Sequence, residues 1–177
     1  MNRKLLPLVL LVVAALFQSC EGPKGDPGPQ GGDVLGRTFD IINVDFTSAN
    51  NFGYVLNFKQ QNIEVVPTDA VLVYVYWNDQ GNLKAYRPLP QTAFLDNGVL
   101  VTYNFDRTDD DMEIFIDSNI DRAKLPTTHT RGFEFRVIVI PSDPLQRANA
   151  EVDLNDYEAV VKAFNIDESK IKKISAQ

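Results

Sequence analysis

Asp106, Asp109, Asp110 and Asp111 crowd one short stretch of this chain, and a cluster of carboxylate oxygens is what calcium coordinates. The spacing has neither the central glycine nor the terminal bidentate glutamate of a helix–loop–helix calcium site. Adjacent aspartates also cannot all turn toward one ion in ordinary backbone. These four residues are candidate calcium ligands, with an aspartate-rich turn as the simpler expectation. A second group is aromatic: Tyr74, Tyr76, Trp77, Tyr86 and Tyr103. Exposed on a sheet, Tyr74, Tyr76, Trp77 and Tyr86 would form a flat platform for sugar rings or an anchor for a protein partner. Alternation places Tyr74 and Tyr76 with Leu72 on one face, opposite Val71, Val73, Val75 and Trp77. Burial of both faces therefore accounts for them more simply.

Machinery for bond cleavage is sparse. The single histidine, His129, sits in the polar run Thr127-Thr128-His129-Thr130-Arg131. None of Ser48, Ser118, Ser142, Ser169 and Ser175 lies in a nucleophile-elbow context that would pair with it. One histidine is too few for a histidine-based zinc site. A glycosidase needs two acids flanking a bond, one with a raised pKa. Glu113, Asp117 and Glu134 fall on strand-like segments where alternation points them outward, and nothing in the sequence sets two of them across a cleft. The expectation is a non-enzymatic protein without a cofactor, calcium being the one metal with candidate ligands in the sequence.

The one cysteine carries chemistry of another kind. Arg3 and Lys4 precede an apolar run from Leu5 to Phe17, and Gln18, Ser19 and Cys20 follow. A charged start, a short apolar core and a small residue before a break are the parts of an export signal. The run is shorter than the roughly 20 residues that span a bilayer, so cleavage is expected rather than spanning. The segment resembles a bacterial lipobox, in which the cysteine thiol receives a diacylglyceryl group and becomes the mature N-terminus. Phe17 and Gln18 stand where leucine and a small residue are usual, while Ser19 fits. The resemblance implies acylation and palmitate-type chains on Cys20, and several acyl chains make a stable anchor where one does not. Glu21 after the cysteine is similar to the export signals of surface lipoproteins in Bacteroidetes, which implies the outer membrane, on its periplasmic or outward side.

Gly22-Pro23-Lys24-Gly25-Asp26-Pro27-Gly28-Pro29-Gln30-Gly31 places glycine at every third position. That is collagen periodicity, where only glycine fits the axis of three polyproline II chains. So few triplets cannot offset the entropy of ordering three strands, so trimerisation through them is not expected. A stiff tether rising about 3.1 Å per residue is. The expected divisions are a signal peptide over 1–19, the lipidated cysteine and collagen-like linker over 20–34, and a folded domain over 35–177.

The elements that would position the candidate residues are strands. Phe39 to Phe46, Phe52 to Phe58, Val71 to Trp77, Leu83 to Arg87, Val99 to Phe105, Glu113 to Asp117 and Phe133 to Ile140 are rich in β-branched and aromatic residues in near alternation. Asn78-Asp79-Gln80-Gly81 and Asp96-Asn97-Gly98 have turn chemistry. About seven strands between polar turns predict an all-β, two-sheet antiparallel β-sandwich, with a barrel as the alternative. Leu154, Tyr157, Val160, Val161 and Phe164 form one helical stripe, predicting a C-terminal amphipathic helix that packs on the sandwich. Asn155 and Glu158 have capping-box spacing. Ile166 to Gln177, with Lys170, Lys172 and Lys173, is expected to fray.

The formal charge is −7, and cleavage before Cys20 removes two further cations, Arg3 and Lys4. An acidic chain repels phosphate, which argues against nucleic acid and against electrostatic adhesion to anionic lipid. The membrane is then reached through the lipid alone. In its arrangement the chain resembles small collagen-like lipoproteins of Bacteroidetes, specifically over residues 1–31 and only in outline beyond. That resemblance implies a lipid-anchored envelope protein in a structural or protein-interaction role. A surface carbohydrate-binding module is the alternative, and a hydrolase comes third.

Overall fold

Strong alternation of apolar residues makes strands, and strands with two apolar faces need cover on both sides. The computed structural model describes residues 37–77, 85–141 and 152–176. The signal, Cys20 and the collagen-like segment lie outside those residues. Strands β1 (Arg37–Val44), β3 (Ala70–Trp77), β4 (Ala85–Pro88), β8 (Phe133–Ile140) and β9 (Lys172–Ser175) form one sheet in the order β4-β3-β8-β1-β9. Strands β2 (Gly53–Asn57), β5 (Gln91–Phe94), β6 (Leu100–Arg107) and β7 (Asp111–Ser118) form the other, in the order β2-β7-β6-β5. All ladders are antiparallel except β1–β9, which is parallel. The all-β sandwich expected from the sequence is the fold, with nine strands among the described residues rather than about seven.

The two sheets enclose one apolar core. Ile41, Val75, Phe135 and Val137 come from the first sheet, Val101, Tyr103, Ile114 and Ile116 from the second, and all are shut off from solvent. Each such side chain contributes about 1.5–3 kcal/mol by leaving water. Five rings, Phe46, Trp77, Tyr103, Phe133 and Phe135, touch one another at one end of this core, with Tyr103 and Phe133 centroids 4.8 Å apart.

The opposite face of the first sheet is also covered. Tyr74 and Ile138 pack there with Val160 of helix α1 (Tyr157–Ala163) and with Ile166. The helix starts one residue later than the capping-box spacing predicts. Asp156, not Asn155, is the cap, and its side chain accepts from the Ala159 backbone N–H at 3.1 Å. Leu154, predicted to lie in the stripe, precedes the helix and stays 42 % exposed. Its carbonyl accepts instead from Tyr74 Oη at 2.8 Å.

The segment expected to fray carries a strand instead. After α1 the chain returns through Ile166 and Ile171, both packed on the helix-side cluster, into β9. Ile174 fills the core at 6 % exposure while Lys172 and Lys173 face solvent on the sheet edge. Lysines there ward off edge-to-edge pairing, and that is why the segment looks like a polar tail.

Beneath α1 lies a buried ion pair. Asp40 and Arg136 are direct partners across β1 and β8. Arg136 Nε donates to Asp40 Oδ1 at 2.7 Å and Nη2 to Oδ2 at 3.0 Å, a bidentate arrangement with both side chains at most 5 % exposed. Nη1 also donates to the Tyr157 hydroxyl and, at 2.6 Å, to Glu168 Oε1. The hydroxyl in turn donates to Glu168 Oε1 at 2.6 Å. Burial favours loss of the Arg136 proton, but the bonds to Asp40 and Tyr157 outweigh it and raise its pKa. One guanidinium thus joins β1, β8, α1 and the turn before β9.

Removing one partner of such a pair strands the other charge, at about 3–5 kcal/mol. Asp40→Ala is expected to lower urea-unfolding stability by that amount. Glu168→Gln, at a half-exposed position, should cost about 1 kcal/mol or less in the same measurement.

Candidate functional site

At one end of the sandwich β3 stops and β8 begins, and the chain entering β8 builds a cleft there. The segment after Leu125 makes a 3₁₀ turn at Thr127–His129 and reaches β8 through Gly132, whose φ of +71° suits a residue without a side chain. Bonds to distant parts of the chain hold this loop. Tyr103 Oη donates to the His129 carbonyl at 3.1 Å, and the Phe46 backbone N–H donates to the Thr130 carbonyl at 2.7 Å. Asp45 accepts from the Gly132 N–H at 2.9 Å and pairs with Arg131 at 3.3 Å.

The loop walls a depression of about 420 Å³ whose lining includes Tyr76, Trp77, Thr128, His129, Arg131 and Glu134. That volume falls in the roughly 300–1,000 Å³ range of small-molecule sites. A second depression of about 440 Å³ adjoins it and shares Thr128 and His129. Phe94, at the end of β5, stands 83 % exposed on its rim, with Ile120 and Lys124 nearby. Phe94 lies before the Asp96-Asn97-Gly98 turn, where Asn97 (φ +60°) and Gly98 (φ +73°) adopt the left-handed backbone that this sequence tolerates.

His129 lies in the loop that walls this cleft and is half-buried. Glu134 also lies here, contrary to the expectation of a solvated strand face. It shares the helix-side face of β8 with Arg136 and Ile138, and its Oε1 is sealed from solvent with no hydrogen-bond partner among the described residues. By contrast, Glu113 and Asp117 sit on β7 of the other sheet, opposite Val55 and Thr102, and Asp117 is exposed.

No family model, curated protein or solved structure matches the chain. The site must be understood from its own chemistry.

The aromatic residues do not form one flat platform. Tyr74 is fully buried, its ring edge-on to Tyr157 at 5.3 Å. Tyr86, paired with Tyr76 across β3 and β4, packs against both the Tyr157 ring at 4.6 Å and the Arg136 guanidinium at 4.4 Å. Trp77 points the other way, with Arg87 over its ring at 4.9 Å and Tyr103 at its edge at 5.9 Å. Core packing of both faces explains Tyr74 and Tyr86, while Tyr76 and Trp77 reach the cleft.

The aspartates are likewise dispersed. Asp106 faces out of β6 opposite Glu113 on β7. Asp109 lies 3.9 Å from Arg107, and Asp110 pairs with Lys59 at 2.5 Å. Asp111 accepts from the Thr108 hydroxyl at 2.6 Å within the β6–β7 turn. No group of three or more His, Cys, Asp or Glu side chains among the described residues is arranged to hold a metal.

Adding calcium or a chelator is therefore expected to leave the thermal midpoint of the chain unchanged, because a ligand stabilises only the state that binds it. Alkali should act differently. Burial pushes the Tyr74 and Tyr86 phenols from 10.0 up to about 12; Asp153 and Asp156 add to the rise at Tyr74, while the Arg136 guanidinium opposes it at Tyr86. Between those values the folded chain holds protons that the unfolded chain has released, so stability is intact below about pH 10 and falls as pH rises toward 12. Phenolate absorbance followed together with unfolding should show both in that window, and Tyr74→Phe should flatten the slope.

Proposed function

We propose that the protein is a non-enzymatic binding module held at the bacterial cell envelope by a lipid on Cys20, with the two-part cleft around His129 as its contact surface. The observation that carries this reading is the cleft itself: two adjoining depressions, one loop pinned between them, and Phe94 exposed on the rim. A large aromatic side chain held at a rim is the kind of group that anchors partners. The wall is fixed by bonds from Tyr103, Phe46 and Asp45, so little order remains to be imposed when a ligand arrives.

Hydrolysis has less support. Glu134 is the one carboxylate lining the main depression among the described residues, and Asp96 lines the neighbouring one. Among the described residues no carboxylate bonds the His129 imidazole to set its tautomer, as one would for a base in nucleophilic catalysis. The anchor rests on the sequence of residues 1–20 and on the collagen-like tether after it. Outer-membrane placement rests on the same segment.

Both halves of the reading are open to measurement in cells. Mass spectrometry of the mature N-terminus should find an acylated cysteine, and Cys20→Ser should move the protein from the membrane to the soluble fraction. A photo-crosslinking side chain placed at Ile120 should capture one defined envelope component. Phe94→Ser should reduce that capture several-fold without shifting the thermal midpoint, since Phe94 makes little contribution to the core. Equal capture by the variant would remove the cleft from consideration.

A further inference from the structure

The main depression holds an unusual group for an otherwise well-satisfied interior. Among the described residues, buried side-chain oxygens without a hydrogen-bond partner are confined to Tyr86 Oη and Glu134 Oε1. A carboxylate oxygen left in that condition is costly, and such groups are normally met by a donor. Tyr76 stands beside both residues: it pairs with Tyr86 on β4, and Glu134 lies one step beyond the Val75–Phe135 pair on β8. The terminal torsion of glutamate is soft, so a small rotation presents the carboxylate oxygens to the cleft that its side chain lines.

We infer that the depression between Trp77 and Glu134 is a subsite for one neutral sugar ring, with Glu134 accepting from its hydroxyls, Tyr76 packing against its carbon–hydrogen face from the wall and Trp77 meeting it from the floor. This deepens the binding reading and rests on it. The mixture of polar groups selects the class. Glu134 accepts only, Arg131 donates only, and Thr128 and His129 supply hydroxyl and imidazole groups at the same wall. An ammonium ion offers donors alone and would meet the Arg131 charge. A carboxylate or phosphate ligand would meet Glu134. A polyol without charge offers donors and acceptors together, and its ring presents an apolar face that suits aromatic side chains. The Arg87 guanidinium over Trp77 and the Tyr103 edge against it hold the indole in place.

The chain provides its own probe, because Trp77 is its one tryptophan. The full chain should be titrated with neutral oligosaccharides of glucose, galactose, mannose and N-acetylglucosamine, following tryptophan emission. Choline should be included as a cationic control. At least one oligosaccharide should change the emission saturably, and Glu134→Gln should weaken it about tenfold, the size expected when a hydrogen bond keeps its acceptor but loses the charge on it. Should Glu134→Gln melt early, Thr128→Val on the exposed rim carries the same test with a several-fold loss. Silence across the sugars, binding of choline instead, or full affinity in a folded Glu134→Gln protein would each overturn the assignment. If the sugars are silent while Ile120 crosslinking still depends on Phe94, only the sugar class fails. If both are silent, the binding reading falls with it.

Discussion

The guanidinium of Arg136 is the point on which the described half of the molecule around α1 depends. A β-sandwich needs its outer faces to be either wet or covered, and the first sheet is apolar on both sides. Its inner side meets the second sheet. Its outer side is closed by a helix of only two turns, too short to be stable alone. A bidentate pair with Asp40 and bonds to Tyr157 and Glu168 fix that helix and the following turn to β1 and β8 at once. Breaking the guanidinium's partnership with Asp40 would leave a charge in a place water cannot reach, so the arrangement favours one docking of the helix over others.

That closure has a consequence at the sandwich end. Tyr86 packs against both Arg136 and Tyr157, and Tyr76 packs on Tyr86 with ring centroids 5.8 Å apart. The cleft wall formed by Tyr76 and Glu134 is therefore an extension of the helix-side packing. Its floor is an extension of the inner core, through Trp77, Tyr103 and Phe133. The site sits where the two packed faces of one sheet run out together, and rigid elements hold it from both sides.

Alternation made seven of the nine described strands and their inward faces legible, because Val, Ile and aromatic residues recur at every second place. The even division of Val71 to Trp77 between two covered faces was legible for the same reason. β5 was not: Gln91 to Phe94 is four residues, follows Pro90, and shows its one large aromatic to solvent. β9 was hidden by its lysines, which are edge-strand chemistry written as a polar tail. Glu134 shows the limit most clearly. Its parity on β8 was readable, but whether that face is wet depends on a helix some twenty residues later in the chain. The cleft joins β3, β6, the 3₁₀ loop and β8, and no local pattern brings those four segments together.

The position of β1 bears on how such a domain takes mechanical load. β1 is the first described strand, and it lies between β8 and β9 in the sheet rather than at an edge. Ladder bonds of an antiparallel pair run perpendicular to the strands, so a pull along β1 from its N-terminal end strains many of them together. The Asp40–Arg136 bond crosses the same boundary and would have to shear with them. A pull on β1 thus loads the sheet in shear, a geometry that resists force better than peeling one bond at a time.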